Sequence, residues 1–436
     1  MKASIRCCVV AVLALLVLAG CEVTEEKIDL WKGTQNGPKK LASTVVDSDV
    51  QMNLRAKAAV ALVEINAWDL FRELFKKMEK SDAESVVTAV TPILAKMVEE
   101  GGSKEKPISK LQVDAKDALF IMLDYAGGEG KAAAERALIG WCTGDYNVRA
   151  MAGQYNIRTI VKKIGAPAAD GLIPLLNVKA IVIKHVAELI REVKDERVLA
   201  KASQQLAADL KANIAGIKEI HLIAAAIIGG GPIGDALLDF ATNKDLSDKL
   251  QRFSLRAFSE SMSKKAITLS SEQVDKLFSM AQDLNFDQYQ REETYYVIAQ
   301  AGRKDDLERF FKLLTEKSSF WRAVGLRCIL RIDGEGQLNK ALQDIAKQTT
   351  DKSHVDEVIA RIKSFPKLLP KVRELLGDSS GFSKGIAVGV LGEMGNKDDL
   401  KKLEQLSGKT RLPKGFGHKT LGEAVKAAVE AIKKRG

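Results

Sequence analysis

Arg322-Ala-Val-Gly-Leu-Arg-Cys-Ile-Leu-Arg-Ile332 is the stretch on which the fold turns, because its pattern recurs without a gap. It stands again at Arg55-Ala-Lys-Ala-Ala-Val-Ala-Leu-Val-Glu-Ile65 and at Lys384-Gly-Ile-Ala-Val-Gly-Val-Leu-Gly-Glu-Met394. A basic residue comes first and Gly or Ala comes second and fourth. Large apolar residues come eighth and eleventh. Counted from the residue before each block, the core offsets are 0, 4, 7, 8 and 11. That spacing lays one apolar stripe along an α-helix. A small residue at offset 4 lets a neighbouring helix approach closely. Glycine there gives up about 1 kcal/mol of helix propensity against alanine, so packing must want it.

Each block carries an acid six residues before its base: Asp49 with Arg55, Glu316 with Arg322, Asp378 with Lys384. The acid falls in the expected turn and the base in the first turn of the next helix. Asp145 and Arg149 form a looser version. A turn acid, a base opening the second helix, small residues inside it and Gly just after it resemble the HEAT repeat, including its short HEAT-like variants. Gly165-Ala-Pro-Ala-Ala-Asp-Gly-Leu-Ile-Pro-Leu-Leu176 resembles the first helix of another such unit. The resemblance implies an all-α superhelix, an α-solenoid of stacked antiparallel helix pairs. It also implies that the eight charged residues form a structural ladder between units.

Helix ends repeat as well. Ala301-Gly-Arg-Lys-Asp-Asp-Leu307 matches Met394-Gly-Asn-Lys-Asp-Asp-Leu400, and Ile332-Asp-Gly334 falls about one third of the way between. The implied unit is about 31 residues, room for two helices of roughly 11–12 residues and two short turns. About ten to twelve helix pairs are expected from residue 34 to 436.

The first twenty residues read differently. Lys2 and Arg6 precede an apolar run, Val9 to Leu18, which is too short to span a bilayer as a helix. It ends in Leu18-Ala-Gly-Cys21, which resembles the bacterial lipobox. That resemblance implies cleavage before Cys21 and acyl chains on its sulfur and amino group, an anchor of about 0.8 kcal/mol per buried methylene. Glu22, in place of the Asp that retains lipoproteins at the inner membrane, favours the outer membrane. Residues 21–33 then serve as lipidated tether and cap, with Trp31 covering the first helix pair.

Without residues 1–20 the chain holds 65 basic and 57 acidic residues, a net charge of +8. Outside the cytoplasm, a basic surface suits acidic proteins, acidic polymers or lipid head groups better than nucleic acid. The charges are interspersed, which equally fits a solvated helix surface. Cys142 and Cys328 read as small buried hydrophobes. Gly229-Gly-Gly-Pro232 lacks the Lys and Ser/Thr of a phosphate loop and reads as an inter-helix turn. The longest non-apolar stretch near the end, residues 408–420, carries Arg411, Lys414, His418 and Lys419 and is a candidate contact loop.

The chemistry signals are thin. The histidines at 185, 221, 354 and 418 have no partner at zinc spacing, and His354 reads as an ordinary charged helix start. No nucleophile elbow, Walker or dinucleotide fingerprint occurs. No metal and no cofactor are expected. Two functions stay open: an envelope-anchored protein-interaction scaffold, or an enzyme or small-ligand or glycan carrier with a pocket in the concave groove. A plain spacer is a third.

Overall fold

A computed structural model describes residues 22–99, 107–144, 146–348, 351–406 and 408–435. Among these residues the chain forms twenty-four helices and no strand. Two compact units divide the chain, residues 1–228 and 229–436, and the boundary falls at the glycine-rich turn.

In the first unit the helices are α1 (Glu25–Trp31), α2 (Gly37–Val46), α3 (Met52–Glu64), α4 (Trp68–Lys76), α5 (Lys80–Glu99), α6 (Lys110–Met122), α7 (Gly128–Thr143) and α8 (Tyr146–Arg149). They continue as α9 (Ile157–Ile164), α10 (Ala166–Leu172), α11 (Ile183–Val193), α12 (Glu196–Ala212) and α13 (Glu219–Ile228). The second unit holds α14 (Gly231–Thr242), α15 (Asp248–Ser263), α16 (Ser271–Gln282), α17 (Gln288–Gln300), α18 (Leu307–Leu313) and α19 (Ser319–Ala346). It ends with α20 (Lys352–Lys363), α21 (Leu369–Glu374), α22 (Gly381–Met394), α23 (Lys397–Glu404) and α24 (Leu421–Arg435).

Helix starts follow side-chain chemistry. Ser109, Ser270, Asp287 and Asn396 each close a capping box with the residue three positions on. Such a cap satisfies orphan N–H groups and typically contributes about 1 kcal/mol. Sequence neighbours then pack as pairs: α2 on α3 and α5 on α6 in the first unit; α14 on α15, α16 on α17 and α18 on α19 in the second.

The recurring block supplies the second member of two of these pairs, in α3 and α19, and its third copy forms α22, which packs on α24. Its offsets 4, 7 and 8 are buried in every copy: Ala58, Ala61 and Leu62; Gly325, Cys328 and Ile329; Ala387, Val390 and Leu391. Gly325 shows why offset 4 is small. A Cβ there would lie 2.8 Å from Leu313 Cβ and 3.0 Å from the Phe310 carbonyl oxygen on α18. Ion pairs also recur about one unit apart. Lys57 with Glu25, Lys201 with Asp170, Arg309 with Asp275, Lys340 with Glu308 and Lys363 with Glu393 join residues 30 to 34 positions apart.

Some boundaries differ from the sequence reading. A single helix over 148–164 is expected, yet α8 ends at Arg149 and α9 starts at Ile157. Gly153 sits at φ +81°, and Asn156 caps α9 by accepting from the Thr159 N–H. The block at 322–332 runs into the next helix through a kink at Asp333 (φ −153°, ψ 59°) rather than a full turn. At the N-terminus, Ile28 is fully buried and Trp31 lies under the Lys40 ammonium at 5.6 Å.

Candidate functional site

Two of the block bases, Arg55 and Arg322, hold neighbouring segments, but not through the acids six positions earlier. Arg55 is 3% exposed and donates from Nε to the Val45 carbonyl at 2.8 Å. Its two Nη atoms reach both carboxylate oxygens of Asp82, at 2.8 and 2.6 Å. Asp49 takes no part; its own N–H donates to Asp47. Arg322 donates to the backbone carbonyls of Glu316 (2.7 Å) and Lys317 (2.9 Å), not to the Glu316 carboxylate. Lys384 has no ion pair among the described residues, and Asp378 accepts from the Ser380 N–H. Arg149 is buried over the Trp141 ring at 4.9 Å. Asp145 and Cys21 lie outside the described residues. The physical reason is geometric: an arginine opening a helix points back at the carbonyls ending the previous helix, whose orphan C=O groups need donors.

Arg322 has a second contact that sequence reading missed. Its Nε donates to His354 Nε2 at 3.3 Å, deep in the core. Nε2 therefore accepts, and the proton sits on Nδ1, which is buried and finds no partner. Burial and the nearby guanidinium lower the His354 pKa to about 4. The residue is a neutral, buried imidazole in the first turn of α20, where its N–H donates to the Asp351 cap.

A concavity lies in the second unit, between the pairs α16/α17 and α18/α19, and encloses roughly 740 Å³. Helical spacing builds it. Asp275, Phe278, Ser279 and Gln282 share one face of α16, and Arg309, Lys312 and Leu313 share one face of α18. Arg291 and Tyr295 rise from α17, and Trp321 from the start of α19. Helices α17 and α19 pack closely and form the floor. Across the top, Arg309 donates to Asp275 at 2.7 Å while lying 4.5 Å from the Phe278 centroid. Glu316 closes one rim; Leu284, 83% exposed, projects at another.

Arg291 is held at two points in this cleft. Its Nε donates to the Ala281 carbonyl at 2.7 Å, and its guanidinium lies 4.7 Å from the Trp321 centroid. No carboxylate among the described residues pairs with it. Lys312 is exposed and likewise has no ion pair among the described residues. Tyr295 and Phe278 are nearly fully buried, and burial raises the Tyr295 hydroxyl pKa. The site offers fixed positive charge over an apolar floor, with Glu316, Gln282 and Ser279 as polar partners. Among the described residues no group of three or more His, Cys, Asp or Glu could hold a metal.

The sequence did contain a signal for Arg291. Read from Gln290, the offsets 0, 4, 7 and 8 fall on Gln290, Thr294, Val297 and Ile298, all buried. This is a partial copy of the block with Arg291 in the basic position, although Glu292, Thr294 and Ala301 depart from its small second and fourth and large eleventh residues. It lacks the preceding acid, since Asn285 stands six residues earlier.

The contact loop at 408–420 is more ordered than its composition suggests. Arg411 and Thr420 form an antiparallel bridge, Leu412 donates to the Lys419 carbonyl (3.1 Å), and Leu421 donates to Thr410 (2.8 Å). Leu412 is buried and Phe416 packs edge-on against Phe382 of α22. The hairpin leaves Arg411, Lys414, His418 and Lys419 on the surface, away from the residues lining the cleft.

A buried charge cluster in the first unit is spent on structure. Lys116 is 0% exposed and donates to Asp117 and to the carbonyls of Ala152 (2.8 Å) and Tyr155 (2.6 Å). Asp117 in turn accepts from the Gln154 and Tyr155 N–H groups. All three ammonium protons are engaged, so the pair clamps loop 150–156 and has no donor left for a substrate.

Compared with protein-family models and with curated proteins, the chain finds no match in either.

Proposed function

We propose that this chain is a lipid-anchored, HEAT-like α-solenoid of the bacterial envelope that works as a binding scaffold, holding a protein partner in the α16–α19 cleft. The observation that carries this reading is the cleft itself. It is made from the like faces of two successive helix pairs, so repetition of the unit generates the groove. Ion pairs spaced by about one unit support the repeat character. The anchor rests on Leu18-Ala-Gly-Cys21, and Glu22 favours the outer membrane, with the scaffold facing the periplasm or the cell surface. Binding through such a surface needs no chemistry beyond shape and charge.

Two experiments test it. Cys21→Ala leaves a folded protein that no longer partitions into detergent; a variant that still fractionates with membranes removes the anchor. Crosslinking and pull-down from envelope extracts, with Ser279→Trp filling the cleft, tests the scaffold; a partner captured equally by both proteins does not use this groove. A second reading, a small-ligand carrier, is favoured by the cleft volume, which lies within the ~300–1,000 Å³ of small-molecule sites. A carrier yields a small molecule on denaturing the purified protein and captures no protein partner.

A further inference from the structure

We infer that the α16–α19 cleft is a carboxylate-binding groove, and that its ligand is an extended acidic peptide segment with a large apolar residue beside the acid, seated by Arg291. This rests on the scaffold reading and names the chemistry of its partner.

The protein displays this recognition within itself, at Arg55. Arg55 and Arg291 occupy the same place in the block, and each donates from Nε to a carbonyl ten residues earlier, Val45 and Ala281. That bond fixes the guanidinium plane. In Arg55 the two Nη atoms then grip one carboxylate in the two-point geometry that guanidinium and carboxylate share. The acid is Asp82, 27 residues on. The same step from Arg291 reaches Ser318, which cannot supply a carboxylate. Arg291 lines an open cleft instead of a closed helix junction. The fork is held in place by Ala281 and Trp321, so little side-chain freedom is lost on binding.

The surroundings select among anions. Arg309 is already matched by Asp275, which leaves Arg291 and Lys312 against Glu316 alone. The balance favours a ligand carrying negative charge. A sugar ring needs an open aromatic face, and here none is offered. Arg291 lies over Trp321, Arg309 lies over Phe278, and Tyr295 is 3% exposed. An apolar side chain fits better, against Leu313 below and the projecting Leu284 at the rim. Glu316, Gln282 and Ser279 can accept from the backbone N–H groups of an extended peptide.

The test uses the full chain in detergent micelles and a fluorescein-labelled peptide containing Glu-Phe-Glu-Leu-Glu, with the Gln-Phe-Gln-Leu-Gln peptide as its uncharged match. Polarisation titrations are expected to show at least tenfold tighter binding of the acidic peptide. Arg291→Gln loses at least tenfold, Arg291→Lys loses less, and exposed Lys312→Gln loses two- to fivefold with folding intact. Lys384→Gln, outside the cleft, changes nothing and controls for net charge. Equal binding of the two peptides, or binding by Arg291→Gln equal to that of the unaltered chain, overturns the carboxylate assignment. Partner capture lost in Ser279→Trp but kept in Arg291→Gln also overturns it, while leaving the cleft as the docking site. Capture kept in both variants removes the cleft itself.

Discussion

Replacing Gly325 by alanine sets two opposing energies against each other. Gly325 lies inside α19, where alanine gains about 1 kcal/mol of helix propensity. The added Cβ would stand 2.8 Å from Leu313 Cβ and 3.0 Å from the Phe310 oxygen. Neither atom is the free end of a side chain, so α18 must shift bodily. Overpacking of this kind costs roughly 1–3 kcal/mol, and the net expectation is a loss of about 1 kcal/mol. Two other glycines calibrate the argument. Gly140, inside α7, has no atom within 4 Å of its added Cβ, so Gly140→Ala is expected to stabilise by up to about 1 kcal/mol. Gly389, in α22, meets only the Ile359 chain end at 2.5 Å, which can rotate aside. Gly389→Ala is therefore expected near neutral. Urea titrations followed by far-ultraviolet circular dichroism give the three differences, and thermal midpoints should move by about 2–4 °C per kcal/mol. If Gly325→Ala stabilises as much as Gly140→Ala, close helix approach does not explain the small residue of the block.

Three further outcomes are expected. His354 is neutral in the folded chain and protonates near pH 4, whereas the unfolded residue protonates near pH 6.5. The unfolded state thus binds more protons in that window, so stability falls as pH drops from about 6.5 to 4, by roughly 3 kcal/mol in all; denaturant midpoints of His354→Gln should show a shallower slope there. Asp82→Ala strips the carboxylate from a buried Arg55 and should cost about 3 kcal/mol, while the joint Arg55→Met, Asp82→Leu variant recovers most of it in the same titration. Phe416→Ala removes the ring that seats the 408–420 hairpin against α22, so limited trypsinolysis should cut at Arg411, Lys414 or Lys419 several times faster; an unchanged rate contradicts the packing described.

The helices were legible because offsets 4, 7 and 8 of the block are a direct consequence of burying one face. The pairing of neighbouring helices was legible because glycine and Asp-Asp pairs punctuate the helix ends. Partner choice was not. Whether Arg55 grips Asp49 or Asp82 depends on how far a neighbouring helix slides, which no local spacing encodes. No local pattern marks Lys116 and Asp117 of α6 for burial; loop 150–156 folds over them and supplies two carbonyls and two N–H groups. The hairpin at 408–420 was hidden by its composition, since Leu412 and Phe416 are the large apolar residues among its thirteen that anchor it. The cleft was missed because its residues come from four helices, and Arg291 shows no preceding acid to mark it.

Cys142 in the first unit and Cys328 in the second are both fully shielded thiols. Burial also raises both pKa values, that of Cys142 to about 12, so neither sulfur ionises in the native chain near neutral pH. An alkylating reagent can reach either one only during a transient opening of the segment around it. Each half of the molecule therefore carries its own stopwatch, and peptide mapping of the modified sulfur would time the two halves separately in one tube.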